Sequence, residues 1–304
     1  MKLHIPEDYT EFLYWVKETT EAFWSKNPET SEDDFVCEDW AYGAKWIGMT
    51  DSEIEQTERK FNIKFTSEHK QFLRILHTID RKEVITYDDF ETGEEEKKEV
   101  PFFYNWLQDT EDIQYYLNWP YKTIFEDVIG SNGVWLKSWG NIRPTSDETK
   151  EKIFSEWFQK IPKLIPIHGH RFVVNDHTNT QNPVLSIWGS DTIVYGWNMR
   201  HYLLSELYEH LNLIELVYNK EDDEWYDEFK QELQQIQNTE YKAAKTKTIP
   251  VFEEMILYWS SGWSSFGKEN PNKVEGLLQP ITKTFVAQDE DGSYNDQQKQ
   301  FNTF

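Results

Sequence analysis

The chain has 304 residues, a net charge of −24 and one cysteine, Cys37. A single cysteine excludes an intramolecular disulfide and a zinc site built from several cysteines, and the acidic excess argues against nucleic acid as a partner because it repels phosphates. The N-terminus has no cleavable apolar signal run, and no stretch approaches the roughly 20 apolar residues of a membrane helix. We therefore expect a cytoplasmic protein with no membrane partner.

Aromatic residues are unusually frequent in this chain. The chain has 14 Trp, 16 Tyr and 19 Phe, although only 38% of its residues are hydrophobic. Each aromatic side chain buries a large area, so a substantial core can form. The first pattern that uses them is an amphipathic helix predicted over residues 4–24, with Pro6 in its first turn. Residues 25–40 are polar and acidic, and we interpret residues 1–40 as an N-terminal helical extension.

Two helices are predicted between residues 46 and 76. Thr50 and Glu53 have the spacing of a capping box, in which each side chain accepts a hydrogen bond from a free backbone N–H of the other residue. Ile54 then lies on the apolar side of the first helix. Ser67 begins the second helix, whose apolar side carries Phe72 and Leu73.

The middle of the chain alternates strand and helix signals. Residues 84–100 predict a strand and a charged turn around Gly93. Thr110 can cap a helix that Pro120 is expected to stop, and residues 121–129 then predict a strand. Thr145 and Glu148 suggest another capping box, and residues 163–174 predict one strand.

Residues 183–204 predict a hairpin that leads into a helix. An apolar run is followed by Gly189, by turn residues and by a β-branched second strand, and Asn198 can cap the helix. Further on, residues 219–240 predict an acidic helix with a stripe of Trp225, Phe229, Leu233 and Ile236. Another helix is predicted from residue 249. Residues 263–304 form a tail that we expect to be partly docked through Leu277, Leu278, Ile281, Phe285 and Val286.

The order of these parts resembles the SUKH superfamily, which includes fungal cell-wall-synthesis regulators and bacterial toxin-immunity proteins. Phe65-Thr66 and residues 78–80 depart from its usual Leu-Pro and Asn-Gly. The resemblance implies an α+β fold with a mixed, largely antiparallel sheet and helices packed on one side, over residues 41–262, plus N- and C-terminal helical additions. The residues that carry the resemblance are Trp46, Gly48, Ile54, Glu58, Phe72, Leu73, Trp106, Trp135, Trp139, Gly140, His170, Arg171, Tyr195 and Gly196.

Two enzymatic interpretations can be weighed against structural ones. His168 and His170 alternate around Gly169, so on one strand they would face the same side and could share a metal, with Asp176 or His177 as a further ligand. Histidines more often make structural hydrogen bonds. Glu58 is more simply a carboxylate that bonds nearby backbone and fixes the fold, because no base, nucleophile or metal accompanies it.

The resemblance implies a non-catalytic protein-binding module, namely an immunity-type protein that binds and neutralises a toxin, for example a nuclease domain. We expect no cofactor and no catalytic residue. A nuclease surface is basic, so an acidic protein can occupy it. The alternatives are a regulatory scaffold of the cell-wall or signalling type and a metal-dependent hydrolase that uses His168 and His170. The acidic residues predicted to bind the partner are Glu221, Asp222, Asp223, Glu224, Asp227 and Glu228.

Overall fold

The computed structural model describes residues 3–88, 93–271 and 288–289. The chain forms two compact units, each assembled from separated segments. Unit 1 comprises Met1–Ile113, His177–Asn182 and Asn198–Thr239, and unit 2 comprises Gln114–Asp176, Pro183–Trp197 and the chain from Glu240 on. The division between these units does not coincide with the boundaries at residues 40 and 262 that were expected from the sequence. The predicted α+β class, with largely antiparallel pairing, is confirmed.

Helix α1 spans Tyr9–Trp24 in unit 1. It begins five residues later than predicted, because the side chain of Asp8 caps the helix by accepting a hydrogen bond from the backbone N–H of Glu11. Pro6 therefore precedes the helix. One side of α1 packs against the second of the two predicted helices and buries Phe12, Leu13 and Trp24 completely.

A strand pair and two helices follow α1. They are β1 (Trp46–Ile47), α2 (Asp51–Phe61), α3 (Ser67–Leu76) and β2 (Thr78–Ile79), with β1 and β2 antiparallel. The predicted capping box is confirmed, since both hydrogen bonds between Thr50 and Glu53 form. The chain just after β1 comes so close to α3 that a Cβ added at Gly48 would lie 2.7 Å from the carbonyl carbon of Arg74 and closer still to its oxygen.

Strands β3 (Lys82–Asp88) and β4 (Glu95–Pro101) form an antiparallel hairpin, as the pattern around Gly93 suggested. Helix α4 spans Thr110–Ile129 and contains Pro120 in its interior. The predicted stop at Pro120 and the strand at residues 121–129 are both wrong. Continuing the helix buries Ile124 and Val128 completely, and this burial outweighs the one backbone hydrogen bond that proline removes.

Unit 2 is organised around a four-stranded antiparallel sheet. After β5 (Ile142–Arg143) and α5 (Asp147–Phe158), the chain forms β6 (Leu164–His168), β7 (Arg171–Val174), β8 (Val184–Trp188) and β9 (Asp191–Gly196), which pair in that order. The predicted hairpin at residues 183–196 is confirmed. Residues 163–174 are two strands instead of one, because Gly169 adopts φ +47° and reverses the chain. Helix α5 is capped by Ser146, one residue after the predicted Thr145.

The remaining elements are α6 (Met199–Glu206), β10 (Ile214–Asn219), β11 (Glu224–Phe229), α7 (Gln231–Ala244), α8 (Glu253–Ile256), α9 (Ser260–Ser265) and β12 (Gln288–Asp289). Asn198 caps α6 as predicted. The segment from residue 249 forms the two short helices α8 and α9 instead of one. The tail residues that were expected to dock lie outside the described residues. No helix in the described ranges is both long and apolar enough to cross a bilayer.

Glu68 ties the separated segments of unit 1 together. Its side chain leaves the first turn of α3, is buried, and accepts hydrogen bonds from the backbone N–H groups of Asn182 at 2.9 Å and Met199 at 3.3 Å. Burial raises the pKa of this carboxyl from 4.5 to about 7, against the lowering effect of the two backbone hydrogen bonds.

Candidate functional site

The six acidic residues predicted to bind a partner lie on the hairpin β10–β11, not on a helix. Strands β10 and β11 pair from Ile214↔Phe229 to Asn219↔Glu224, so the predicted helical stripe through Trp225 and Phe229 is wrong. The turn explains the difference. Asp223 adopts φ +56°, and the side chain of Asn219 accepts a hydrogen bond from the backbone N–H of Glu221. These contacts reverse the chain before a helix can form.

The hairpin is exposed on both faces. Trp225 is 64% exposed, and Tyr218 and Tyr226 are each 41% exposed. The rings of Tyr218 and Trp225 pair across the strands with centroids 5.3 Å apart, and such pairs stabilise two-stranded ribbons. Within the described ranges β10 and β11 pair only with each other, so each strand keeps an outer edge with unpaired backbone groups.

The hairpin is strongly negatively charged. Residues 214–229 contain seven carboxylates and one lysine, Lys220. Glu215 and Glu228 are directly opposite each other in the register, an arrangement of like charges that destabilises a sheet. Among the described residues, no salt bridge neutralises any of the six predicted carboxylates. The hairpin therefore presents an uncompensated negative field around its exposed aromatic rings.

Hydrogen bonds in the hairpin involve its tyrosines. The hydroxyl of Tyr218 donates to the carboxylate of Asp223, and the hydroxyl of Tyr226 donates to Glu224 at 3.1 Å. These acceptors raise the pKa of both tyrosines above 10. At the foot of the hairpin a cavity of about 240 Å³ is lined by Lys26, Asp33, Asp34, Phe35, Asn212, Ile214, Glu215, Leu216 and Lys230.

Glu58 is surrounded by hydrogen-bond donors that join two helices. Its buried carboxylate accepts hydrogen bonds from the backbone N–H of Phe65 at 2.8 Å and from Lys64 at 3.0 Å, and it forms an ion pair with Lys70 at 2.8 Å. Burial alone would raise the pKa of Glu58, but these partners lower it below its ordinary value. The carboxylate joins the end of α2 to the start of α3.

His168 and His170 do not share a strand face. His168 ends β6, whereas His170 lies in the turn, where its Nε2 contacts the guanidinium of Arg171. Burial, Arg171 and His168 lower the pKa of His170 to about 4. Nε2 of His177 lies 3.1 Å from the carbonyl oxygen of Lys64 in unit 1. In the described ranges no group of three His, Cys, Asp or Glu side chains has the arrangement of a metal site.

The other residues of the family-like pattern occupy packing positions. Trp46 is buried and donates a hydrogen bond to Thr20, and Trp135 donates to the carbonyl of Gly140 at 3.1 Å. Ile54, Phe72, Leu73 and Trp106 are buried in unit 1, while Trp139 packs edge-on against Trp135 and Trp157 in unit 2. The guanidinium of Arg171 stacks on Tyr195 at 3.9 Å, and Gly196 pairs with Val184 at the end of β9.

No family model matches the chain, and neither a curated protein nor a solved structure matches it. Membership of the SUKH superfamily therefore stays a prediction.

Proposed function

We propose that this protein is a non-catalytic binding module whose hairpin β10–β11 contacts a basic surface of another protein. The observation that supports this proposal is the combination, on one exposed hairpin, of uncompensated carboxylates with Trp225, Tyr218 and Tyr226. These rings expose apolar surface to water, and a partner that covers them can use them as binding anchors.

The carboxylates and the rings have different roles in this interface. The negative field steers a positively charged partner toward the hairpin and raises the association rate, mainly at low salt. The aromatic rings then exclude water and slow dissociation. The open strand edges can add backbone hydrogen bonds to an extended segment of the partner. The cavity at the foot of the hairpin is lined by Lys26 and Lys230 as well as by acidic residues, so its charges are mixed and it is not part of the proposed interface.

The partner class that fits best is a toxin domain, which this protein would neutralise as an immunity protein. A nuclease that grips phosphates exposes a basic surface at its active site. An acidic hairpin placed on that surface competes directly with the nucleic acid, and the inhibitor needs no catalytic group of its own. This proposal agrees with the predicted resemblance and with the net charge of −24.

Reversing four carboxylates on the hairpin tests the proposal. The variant replaces Glu221, Glu224, Asp227 and Glu228 with lysine and leaves Asp222 and Asp223, whose side chains bond Asn219 and Tyr218 in the turn. We expect the association rate with the partner to fall at least about tenfold at low salt and to lose most of its salt dependence. The partner is first isolated by pull-down from the source cells, and the rates are measured by stopped-flow fluorescence.

A matched control comes from the hairpin β3–β4. Asp88, Glu95, Glu96 and Glu99 are also exposed on a two-stranded hairpin of unit 1, and their reversal changes the net charge equally. The proposal requires one stoichiometric partner that is an active toxin when free and inactive when bound, and that the control variant still binds normally. Equal slowing by both variants would show that net charge alone acts. Capture of kinases or envelope-synthesis proteins would favour the regulatory scaffold.

A further inference from the structure

A continuous row of aromatic rings crosses the surface of unit 2 from α4 to the β6–β7 turn. The ring centroids of Tyr115 and Trp119, of Trp119 and Trp188, and of Trp188 and His170 are each 5.6 Å apart. Tyr115 is 50% exposed and Trp188 is 64% exposed. Single exposed aromatic residues are common, but a row of contacting rings drawn from three elements is a candidate binding surface.

The backbone on both sides of Trp188 is fixed by hydrogen bonds, and its exposed ring contacts Trp119 and His170. The next residues form the tight β8–β9 turn, where the backbone N–H and the hydroxyl of Ser190 donate to Oδ2 of Asp127 at 2.7 and 2.6 Å. Trp259 donates to the hydroxyl of Ser190 at 2.9 Å. Trp119 in turn donates through Nε1 to the carbonyl of Ile187 at 3.1 Å. The indole of Trp119 and the backbone around Trp188 are therefore in place before binding, which lowers the entropic cost of binding.

The geometry of the row selects the shape of its ligand. Neighbouring rings are tilted by 56°, 58° and 81° and touch one another, so they form a ridged platform without an enclosed cage. Three successive spacings of 5.6 Å limit the row to the length of about five residues of polyproline II helix at about 3.1 Å per residue. Proline-rich segments dock on aromatic surfaces of this kind because their conformation is already formed in solution.

The charged residues near the row indicate which side chain should accompany the prolines of the ligand. The faces of aromatic rings carry negative potential, and the exposed Asp191 is the register partner of Trp188. A lysine or arginine next to the prolines would be attracted at this point. The nearest positive charge belongs to Arg171, beside His170, and its guanidinium already stacks on Tyr195 and donates to Ser186 at 2.9 Å. An uncharged proline suits that end better.

We propose that the row Tyr115–Trp119–Trp188–His170 binds a proline-rich segment of a partner protein, with a Lys or Arg beside Trp188 and Asp191. This site is separate in the chain from the hairpin β10–β11 and does not depend on the function proposed for it.

The test uses the full chain and a fluorescein-labelled peptide of five prolines, one arginine and three prolines. We expect saturable binding, measured by fluorescence anisotropy, with a dissociation constant below about 1 mM. Trp188→Ala should weaken binding at least about tenfold, because a Trp that becomes buried on binding is the strongest type of anchor. Tyr14→Ala is the matched control, since Tyr14 lies on α1 outside both proposed surfaces, is 52% exposed and should leave peptide binding unchanged.

Circular dichroism of each variant checks that it is folded, and Tyr115→Ala provides a second exposed position if Trp188→Ala is not. The proposal is overturned if the peptide does not bind, if a peptide with alanines in place of the prolines binds equally well, or if both folded variants bind like the wild type. Binding of cellohexaose that Trp188→Ala abolishes, without peptide binding, would assign the row to carbohydrate instead.

Discussion

Replacing Gly48 with alanine is expected to lower the free energy of unfolding of unit 1 by about 3 kcal/mol. The added Cβ would lie 2.7 Å from the carbonyl carbon of Arg74 and 3.4 Å from the backbone nitrogen of Ile75. Both are backbone atoms near the end of α3, so no side chain can rotate away. Strand β1 would have to retreat from α3.

That retreat breaks specific contacts. The backbone N–H of Met49 donates to the carbonyl of Leu73 at 2.8 Å, and Trp46 pairs with Ile79 across β1 and β2. Urea unfolding followed by tryptophan fluorescence measures the loss as a lower midpoint. Gly93→Ala is the control, because no atom lies within 4 Å of its added Cβ and only its φ of +68° is unfavourable, at about 1 kcal/mol. An unchanged midpoint for Gly48→Ala would contradict the close approach of β1 to α3.

Glu68→Gln should change the pH dependence of stability by about 2.5 kcal/mol between about pH 5 and pH 8. The pKa of Glu68 is raised from 4.5 to about 7 by burial. The folded protein therefore holds a proton that the unfolded chain has released in this window. Its stabilising contribution is complete below pH 4.5 and is lost as the pH rises through about 7. Wild type should thus lose stability relative to Glu68→Gln as the pH rises.

The difference in the pH dependence of unfolding between wild type and Glu68→Gln reports the titration of this carboxyl alone. His69 and His77 are also buried in unit 1, and burial lowers their pKa values to about 3 and about 4, so they contribute the opposite slope at low pH. They are present in both proteins and cancel in the difference. The glutamine loses one of two backbone hydrogen bonds, which adds an offset that does not vary with pH. The measurement is urea unfolding at several pH values, and parallel curves for the two proteins would refute the raised pKa.

Local sequence signals predicted those elements whose ends are fixed by neighbouring residues. The capping box of Thr50 and Glu53 forms both of its hydrogen bonds, and the side chain of Asn198 accepts a hydrogen bond from the N–H of His201 at 2.7 Å. The turn at Gly189 is equally local, since its φ of +60° suits glycine. These features depend on residues within one turn of each other, so a sequence is sufficient to find them.

The errors arise where tertiary burial or a turn overrides the local pattern. Pro120 should stop a helix, but the buried residues that follow keep α4 intact. Trp225 and Phe229 have helical spacing with Leu233, but the left-handed Asp223 places them on a strand. The β-branched and aromatic residues of β10, Ile214, Val217 and Tyr218, were a signal for a strand that the acidic composition obscured.

The candidate site was predictable in composition but not in geometry. The six carboxylates were identified from their density along the chain, whereas their place on an exposed hairpin, with Trp225 among them, required the structure. The aromatic row could not be predicted, because Trp119 and Trp188 meet only when α4 packs on the sheet. Glu68 was missed for the same reason, since Met199 lies 131 residues further along the chain.

The interleaved segments have a consequence for how the protein is made. Residues 177–182 and 198–239 belong to unit 1, and residues beyond 240 belong to unit 2. Neither unit is therefore complete until much of the other unit has been synthesised. Most domains fold in order as they emerge. Here the nascent chain exposes apolar residues until late in translation, because the segments that pack against them have not yet been synthesised. Contacts of such long sequence separation also form slowly. We therefore expect chaperones to hold this chain during synthesis, and fragments that end between residues 113 and 239 to aggregate.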